Sequence, residues 1–173
     1  MCDSLPFTTA RSCGRYAGAL EASILFLKAN PHICARLRDI ICRTFAAHQP
    51  ALDTEVVMPV PLHLIRRRSR GFNQAAIIAR LISHKFNLDL DERSLIRSRP
   101  TERHRAGMDG TDRARSVDGA FQVVRPRLIE GASVLLVDDV FTTGSTICAA
   151  TRCLTEAGVR QVKALTIARA TNS

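Results

Sequence analysis

The chain has 173 residues, with 25 Lys and Arg against 16 Asp and Glu, a formal net charge of +9, six cysteines, one Tyr and no Trp. That length holds one ordinary domain able to bury roughly two-thirds of the surface of the unfolded chain; it excludes a second full domain, and the core must be aliphatic, as suits a globular α/β protein. The charge asks for anionic company, either nucleic acid or small phosphorylated molecules, and does not choose between them.

Cys2, Cys13, Cys34, Cys42, Cys148 and Cys153 contain no C-x-x-C pair, and the five histidines form no H-E-x-x-H. Reduced thiols in a cytoplasmic protein without a zinc site are expected. The apolar run "AGALEASILFL" is interrupted by Glu21, which predicts neither a signal peptide nor a membrane span.

Leu20, Ile24 and Leu27 stand at helical spacing over residues 17–28, and Ile33, Leu37, Ile40, Ile41 and Phe45 repeat the pattern. Asn30 is the expected N-cap of that second helix, with Pro31 its first residue. Residues 1–50 thus form an N-terminal helical segment, joined in one compact unit to an α/β domain over 51–173.

A short strand, "TEVVMPVP", ends in Pro59 and Pro61, which set a rigid turn. Arg66, Arg67, Arg68 and Arg70 crowd the loop that follows, with Gly71 and Asn73 at the start of an amphipathic helix carrying Phe72, Ala75, Ile78, Ile82 and Phe86. Four arginines in one turn suit a pyrophosphate.

From Leu95 to Asp118 apolar periodicity fails, and a long basic loop is expected; loops of that length usually have a function. "AFQVV" is a short strand, "ASVLLVDDV" a buried strand, "STICAATRCLTEAG" a helix stopped at Gly158, and "QVKALTIAR" a last strand. Strand, helix and strand in under forty residues make a βαβ unit, hence a parallel sheet with a right-handed crossover.

Ligands of open parallel sheets sit beyond the carboxyl ends of the strands. Asp138 and Asp139 fall there. The turn after them, Thr142, Thr143, Gly144, Ser145 and Thr146, opens a helix whose first N–H groups lack intrahelical partners and favour an anion. The Lys of an ATP-type phosphate loop is absent, so a single phosphate monoester is the expected ligand. Two adjacent carboxylates match the cis 2′- and 3′-hydroxyls of a ribose 5-phosphate. A divalent cation carried by the substrate would ease their repulsion.

"VLLVDDVFTTGST" resembles the signature of the type I phosphoribosyltransferases, which bind 5-phosphoribosyl 1-pyrophosphate (PRPP) with magnesium. "VMPVPLHLIRRRSRGFNQAAIIARLI" is similar to the P-V-P-L-H…R-G-F-N-Q block of the ComF proteins, phosphoribosyltransferase-like proteins linked with competence for DNA uptake; "RYAGALEASILFLK" and "AGVRQVKALTIAR" extend the likeness over nearly the whole chain.

The resemblance implies the type I phosphoribosyltransferase fold, a central mostly parallel sheet flanked by helices. It implies that Asp138 and Asp139 hold the ribose diol, that the 142–146 turn wraps the 5-phosphate, and that the Arg66–Arg70 cluster takes the pyrophosphate. Magnesium would arrive through PRPP rather than on dedicated protein ligands. The long loop, with Arg97, Arg99, Arg103, Arg105, Arg113 and Arg115, resembles by position the loop that closes over the PRPP site. DNA phosphates are its competing use, and the sequence does not separate the two.

The chain departs from the ComF pattern in three places. "MCDSLPF" is similar to the tail of the family's four-cysteine zinc knuckle, with Cys2 at the final ligand and the earlier cysteines absent; one thiolate builds no tetrahedral site. His104 and Ser116 stand where the family carries amides. Thr142 replaces the acid of purine-salvage members and cannot act as a general base at neutral pH, so a hypoxanthine- or guanine-like acceptor is not expected.

Two functional expectations follow. One is PRPP binding with phosphoribosyl transfer to a nitrogen acceptor and release of pyrophosphate. The other is a non-enzymatic DNA-uptake protein that keeps the PRPP site as sensor or relic, with single-stranded DNA or competence proteins as partners; the few aromatics count against base stacking.

Overall fold

A computed structural model describes residues 5–99 and 119–170. Five parallel strands form the central sheet in the order β1-β7-β6-β2-β3, with β1 Thr9–Arg15, β2 Val56–Pro59, β3 Asp89–Leu90, β6 Ser133–Phe141 and β7 Gln161–Arg169. A separate antiparallel pair joins β4 Leu95–Arg97 to β5 Phe121–Val123. The helices are α1 Gly18–Ala29, α2 Ala35–Ala47, α3 Leu64–Arg70, α4 Gln74–Phe86 and α5 Ser145–Glu156. No described helix is long and apolar enough to cross a membrane.

Strand β6 shows why the sheet divides the core in two. Side chains alternate along a strand. Val134 and Leu136 pack with Ile147, Ala150 and Leu154 of α5, while Leu135 and Val137 pack with Ile24 and Leu27 of α1, Ile41 and Phe45 of α2 and Ile78 and Ile82 of α4. A strand buried on both faces reads as a continuous apolar run.

The chain leaves β6 through α5 to β7 on one side, and leaves β2 through α3 and α4 to β3 on the other. With α5 and α4 in opposite core layers, the connections diverge between the carboxyl ends of β6 and β2. Such a switch point opens a crevice in a parallel sheet.

Several elements differ from the sequence expectations. Asn30 does not cap α2; it ends α1, its N–H donating to Phe26 O at 2.8 Å. A residue before proline is driven out of the helical region, and Asn30 is extended, so α2 starts at Ala35 with Cys34 as its N-cap. The arginine-rich stretch is not a loop but helix α3. The His63 Nδ1 accepts from Ile65 N–H at its start, and Gly71, at φ +82°, closes it with an N–H to Arg67 O. Leu95–Arg97 is likewise strand rather than loop. The N-terminal segment also supplies β1, an edge strand paired with β7 from Thr9↔Lys163 to Arg15↔Arg169.

Candidate functional site

A cleft of about 250 Å³ occupies the switch point. Its lining includes Asp138, Asp139, Thr142 and Thr146 from the β6–α5 connection, Val60 and Pro61 beyond β2, and Arg66, Arg70 and Gln74 from α3 and α4. Lys28 of α1 and Arg97 of β4 complete the polar wall.

The paired acids occupy different environments. Asp139 is 8% exposed, and its carboxylate is fully engaged: Oδ2 lies 3.0 Å from Lys28 Nζ and accepts from Gln74 Nε2 at 3.2 Å, while Oδ1 accepts the Val140 N–H at 2.9 Å. Asp138 continues the opposite face of β6 and is partly buried, its Oδ1 accepting the Asp139 N–H at 2.9 Å. Desolvation first, and the charge of Asp139 next, push the Asp138 carboxyl well above the ordinary carboxylate range, opposed by that N–H and by Lys28.

The two acids are neighbours in sequence yet not equivalent. Asp139 is paired with a cation, and Asp138 is the member whose carboxyl is pushed up by burial.

Helical geometry sorts the arginines. Residues four apart share a face, so Arg66 and Arg70 both reach the cleft and are partly buried, whereas Arg67 and Arg68 are exposed and turned away. Arg67 instead lines a neighbouring hollow with Phe72 and Arg80. Arg70 Nη1 donates to Gln74 Oε1 at 2.5 Å, completing a chain of contacts Arg70, Gln74, Asp139, Lys28.

The Arg97 guanidinium stands 5.3 Å above the Phe121 ring. Burial, then the nearby Arg66 charge, lower its pKa, while Asp138 opposes them. Arg66, Arg97 and Asp138 therefore share one electrostatic environment.

The turn into α5 is fixed by glycine. Gly144 has φ +79°, and a Cβ there would stand 2.7 Å from Phe141 Cζ. No larger residue fits without displacing an aromatic ring from the core. As N-cap, Gly144 offers no side chain to the first N–H groups of α5; the Ser145 N–H donates to Thr143 Oγ1 at 3.4 Å, and those after it in the first turn are open to another acceptor. Thr143 and Ser145 hydroxyls bond each other at 2.7 Å.

Of the residues singled out in the sequence, Asp138, Asp139, Thr142, Thr146, Arg66 and Arg70 meet in the cleft. Thr143, Gly144 and Ser145 shape its turn, and Arg67 and Arg68 lie elsewhere. Arg97 is in the wall; Arg103, Arg105, Arg113, Arg115, His104, Ser116 and Cys2 fall outside the described residues. Cys13, Cys34, Cys42, Cys148 and Cys153 are free thiols. Lys28 and Gln74 escaped the sequence reading, because a lone cation at a helix end and an amide beyond an N-cap carry no pattern of their own.

Comparison with known proteins agrees with this architecture. The phosphoribosyl transferase domain matches residues 56–173, more than half of the chain, and the chain belongs to that family. Its central five-stranded parallel sheet flanked by helices is the type I phosphoribosyltransferase fold. A purine phosphoribosyltransferase from Pyrococcus horikoshii has 12% identity and a TM-score of 0.46, covering 78% of this chain and 74% of that one.

Within the class, the chain is a homologue of the ComF proteins, as the sequence motifs implied. It is 33% identical over 124 residues to competence protein F of Haemophilus influenzae, covering 71% of this chain and 53% of that protein. It is 31% identical over 106 residues to competence protein ComFC of Bacillus subtilis, covering 60% and 39%. The chain thus spans about half the length, or less, of these curated relatives.

Proposed function

We propose that the cleft binds PRPP with a divalent cation and that the chain transfers the phosphoribosyl group to a nitrogen acceptor, releasing pyrophosphate. The reading rests on one observation above the others: carboxylates, guanidinium groups and the open start of a helix converge in a single crevice, matching in order a sugar diol, a pyrophosphate and a phosphate monoester.

In this reading Asp138 and Asp139 accept the 2′- and 3′-hydroxyls, with Asp139 exchanging part of its Lys28 and Gln74 contacts for the sugar. Thr142, Thr146 and the first N–H groups of α5, shaped by Thr143, Gly144 and Ser145, hold the 5-phosphate. Arg66 and Arg70 stabilise charge on the departing pyrophosphate. A magnesium ion would be carried on the substrate's own oxygens near Asp138 and Asp139 and would supply further charge neutralisation there. With sugar and leaving group held in line, the acceptor nitrogen attacks C1 as the C1–O bond to pyrophosphate breaks.

The relatives' names attach the reading to competence, and a cytoplasmic role in handling incoming DNA belongs to the same proposal. A second reading, a non-catalytic DNA-uptake protein using PRPP as a signal, is favoured by one observation: Asp139 is already saturated by Lys28, Gln74 and the Val140 N–H.

Calorimetric titration of PRPP with and without magnesium, on the parent and on Asp138→Asn/Asp139→Asn, tests the shared premise. Magnesium-dependent binding that the double variant loses is expected. No binding by the parent defeats both readings. Pyrophosphate release across candidate amines then separates enzyme from sensor.

A further inference from the structure

A second basic groove, of about 400 Å³, lies along the edge of the sheet and shares no lining residue with the cleft. Arg11 and Arg15 of β1 and Arg169 of β7 border it, the small side chains of Ala10 and Ser12 leave it open, and Phe141 forms one wall. No acidic side chain lines it, and none of these arginines is in an ion pair among the described residues.

Arg15 and Arg169 are direct register partners in the parallel pairing of β1 with β7. Strands lie about 4.8 Å apart, and like charges directly opposite destabilise a sheet. Here two arginines spring from facing backbone positions, and no carboxylate lines the groove between them. Arg11 is four residues back along β1, about 13 Å at the ordinary strand rise; its Nη1 donates to the Ala10 carbonyl at 3.0 Å at the border of the same groove. The Arg169 guanidinium is fixed 5.1 Å above the Phe141 ring, which orients it before any ligand arrives.

We infer that this groove is a second anion site, for a small ligand carrying two or more adjacent phosphate groups, with one phosphate bridging Arg15 and Arg169 and the next reaching Arg11. Guanidinium forks match phosphate oxygens in pairs, and an oxyanion between Arg15 and Arg169 turns a repulsive register pair into a stabilising one. Phe141 also links the groove to the phosphate turn, since the same ring that carries Arg169 closes against Gly144. The site is independent of whether the cleft binds PRPP.

The test uses sodium tripolyphosphate on the full chain at fixed ionic strength, by calorimetry and by amide chemical shifts. Three proteins are compared: the parent, Arg11→Ala/Arg15→Ala, and Arg66→Ala/Arg70→Ala as control for the cleft. Arg11 and Arg15 are exposed and Arg66 and Arg70 partly buried, so folding of both double variants is checked by thermal melting, and Arg11→Lys/Arg15→Lys keeps the charge without the fork. Shifts at Ser12 and Phe141 should titrate alike in the parent and the cleft variant, whatever the cleft itself loses, and binding read at those two residues should weaken about tenfold per arginine removed in the edge variant, with partial recovery in the lysine variant. Loss of the Ser12 and Phe141 shifts in the cleft variant, their persistence at unchanged affinity in the edge variant, or no binding by the parent would overturn the site. A short oligo(dT) strand whose binding depends on Arg11 and Arg15 while tripolyphosphate binding does not would overturn the ligand class.

Discussion

Lys28 Nζ stands 3.0 Å from Asp139 Oδ2, tying the end of the first helix to the strand that carries the paired acids. Asp139 is 8% exposed, so that ammonium and Gln74 replace the water its carboxylate gave up. Lys28→Met should therefore destabilise the protein by about 1–3 kcal/mol, more than an exposed ion pair would give, read as a lower urea midpoint. It should also weaken PRPP binding, because the carboxylate loses the cation that aims it. Lys28→Arg should recover part of both.

Asp138→Asn should show an opposite sign in stability. Its carboxyl titrates well above the ordinary value of 3.8 in the folded chain, so between that value and the raised one the folded state holds more protons than the unfolded state. Stability then falls as pH climbs through the window and stays low above it. Asparagine removes the cost, and the variant should melt higher than the parent at pH 7, by of order 1 kcal/mol, with the advantage gone below about pH 4. Thermal melts across pH check this. PRPP affinity in the parent should rise with pH over the same window, because hydroxyl donors favour the ionised form.

Gly144→Ala meets two obstacles at once, a left-handed backbone and a ring 2.7 Å away. A loss of about 1–3 kcal/mol is expected, together with PRPP binding. Combining it with Phe141→Leu should relieve the contact but not the backbone strain, leaving a smaller residual loss in the denaturation midpoint.

Arg66 and Arg70 lie on the cleft face of a short helix, and Arg67 and Arg68 do not. Arg66→Ala/Arg70→Ala should weaken PRPP by about tenfold per arginine, while Arg67→Ala/Arg68→Ala should leave it within twofold. Equal effects would show that a diffuse field, rather than placed guanidinium groups, attracts the ligand.

Those four arginines also show what a sequence hides. Helix α3 buries no residue, so no apolar stripe announces it; its boundaries come from His63 and Gly71, and its consequence is that two arginines serve the cleft instead of four. Strand β1 is similar. "TARSCGR" has no apolar alternation, because an edge strand gains its hydrogen bonds from β7 and remains half-exposed on its own side chains. The strand, turn and helix around Asp138 were legible for the converse reason: burial on both faces of β6 writes an unbroken apolar run, and the turn into α5 needs a glycine at one position only. Lys28 reaches Asp139 across 111 positions of chain, a distance over which spacing says nothing.

The pairing of β1 with β7 sets the order in which this molecule can be finished. Ser12 bonds Thr166, 154 positions away, so during synthesis β1 waits unpartnered until Gln161–Arg169 has left the ribosome. Such late, non-local closure is slow and exposes a free edge meanwhile. A polar, arginine-bearing strand is well suited to that wait, because charge on an unpaired edge discourages other chains from adding to it.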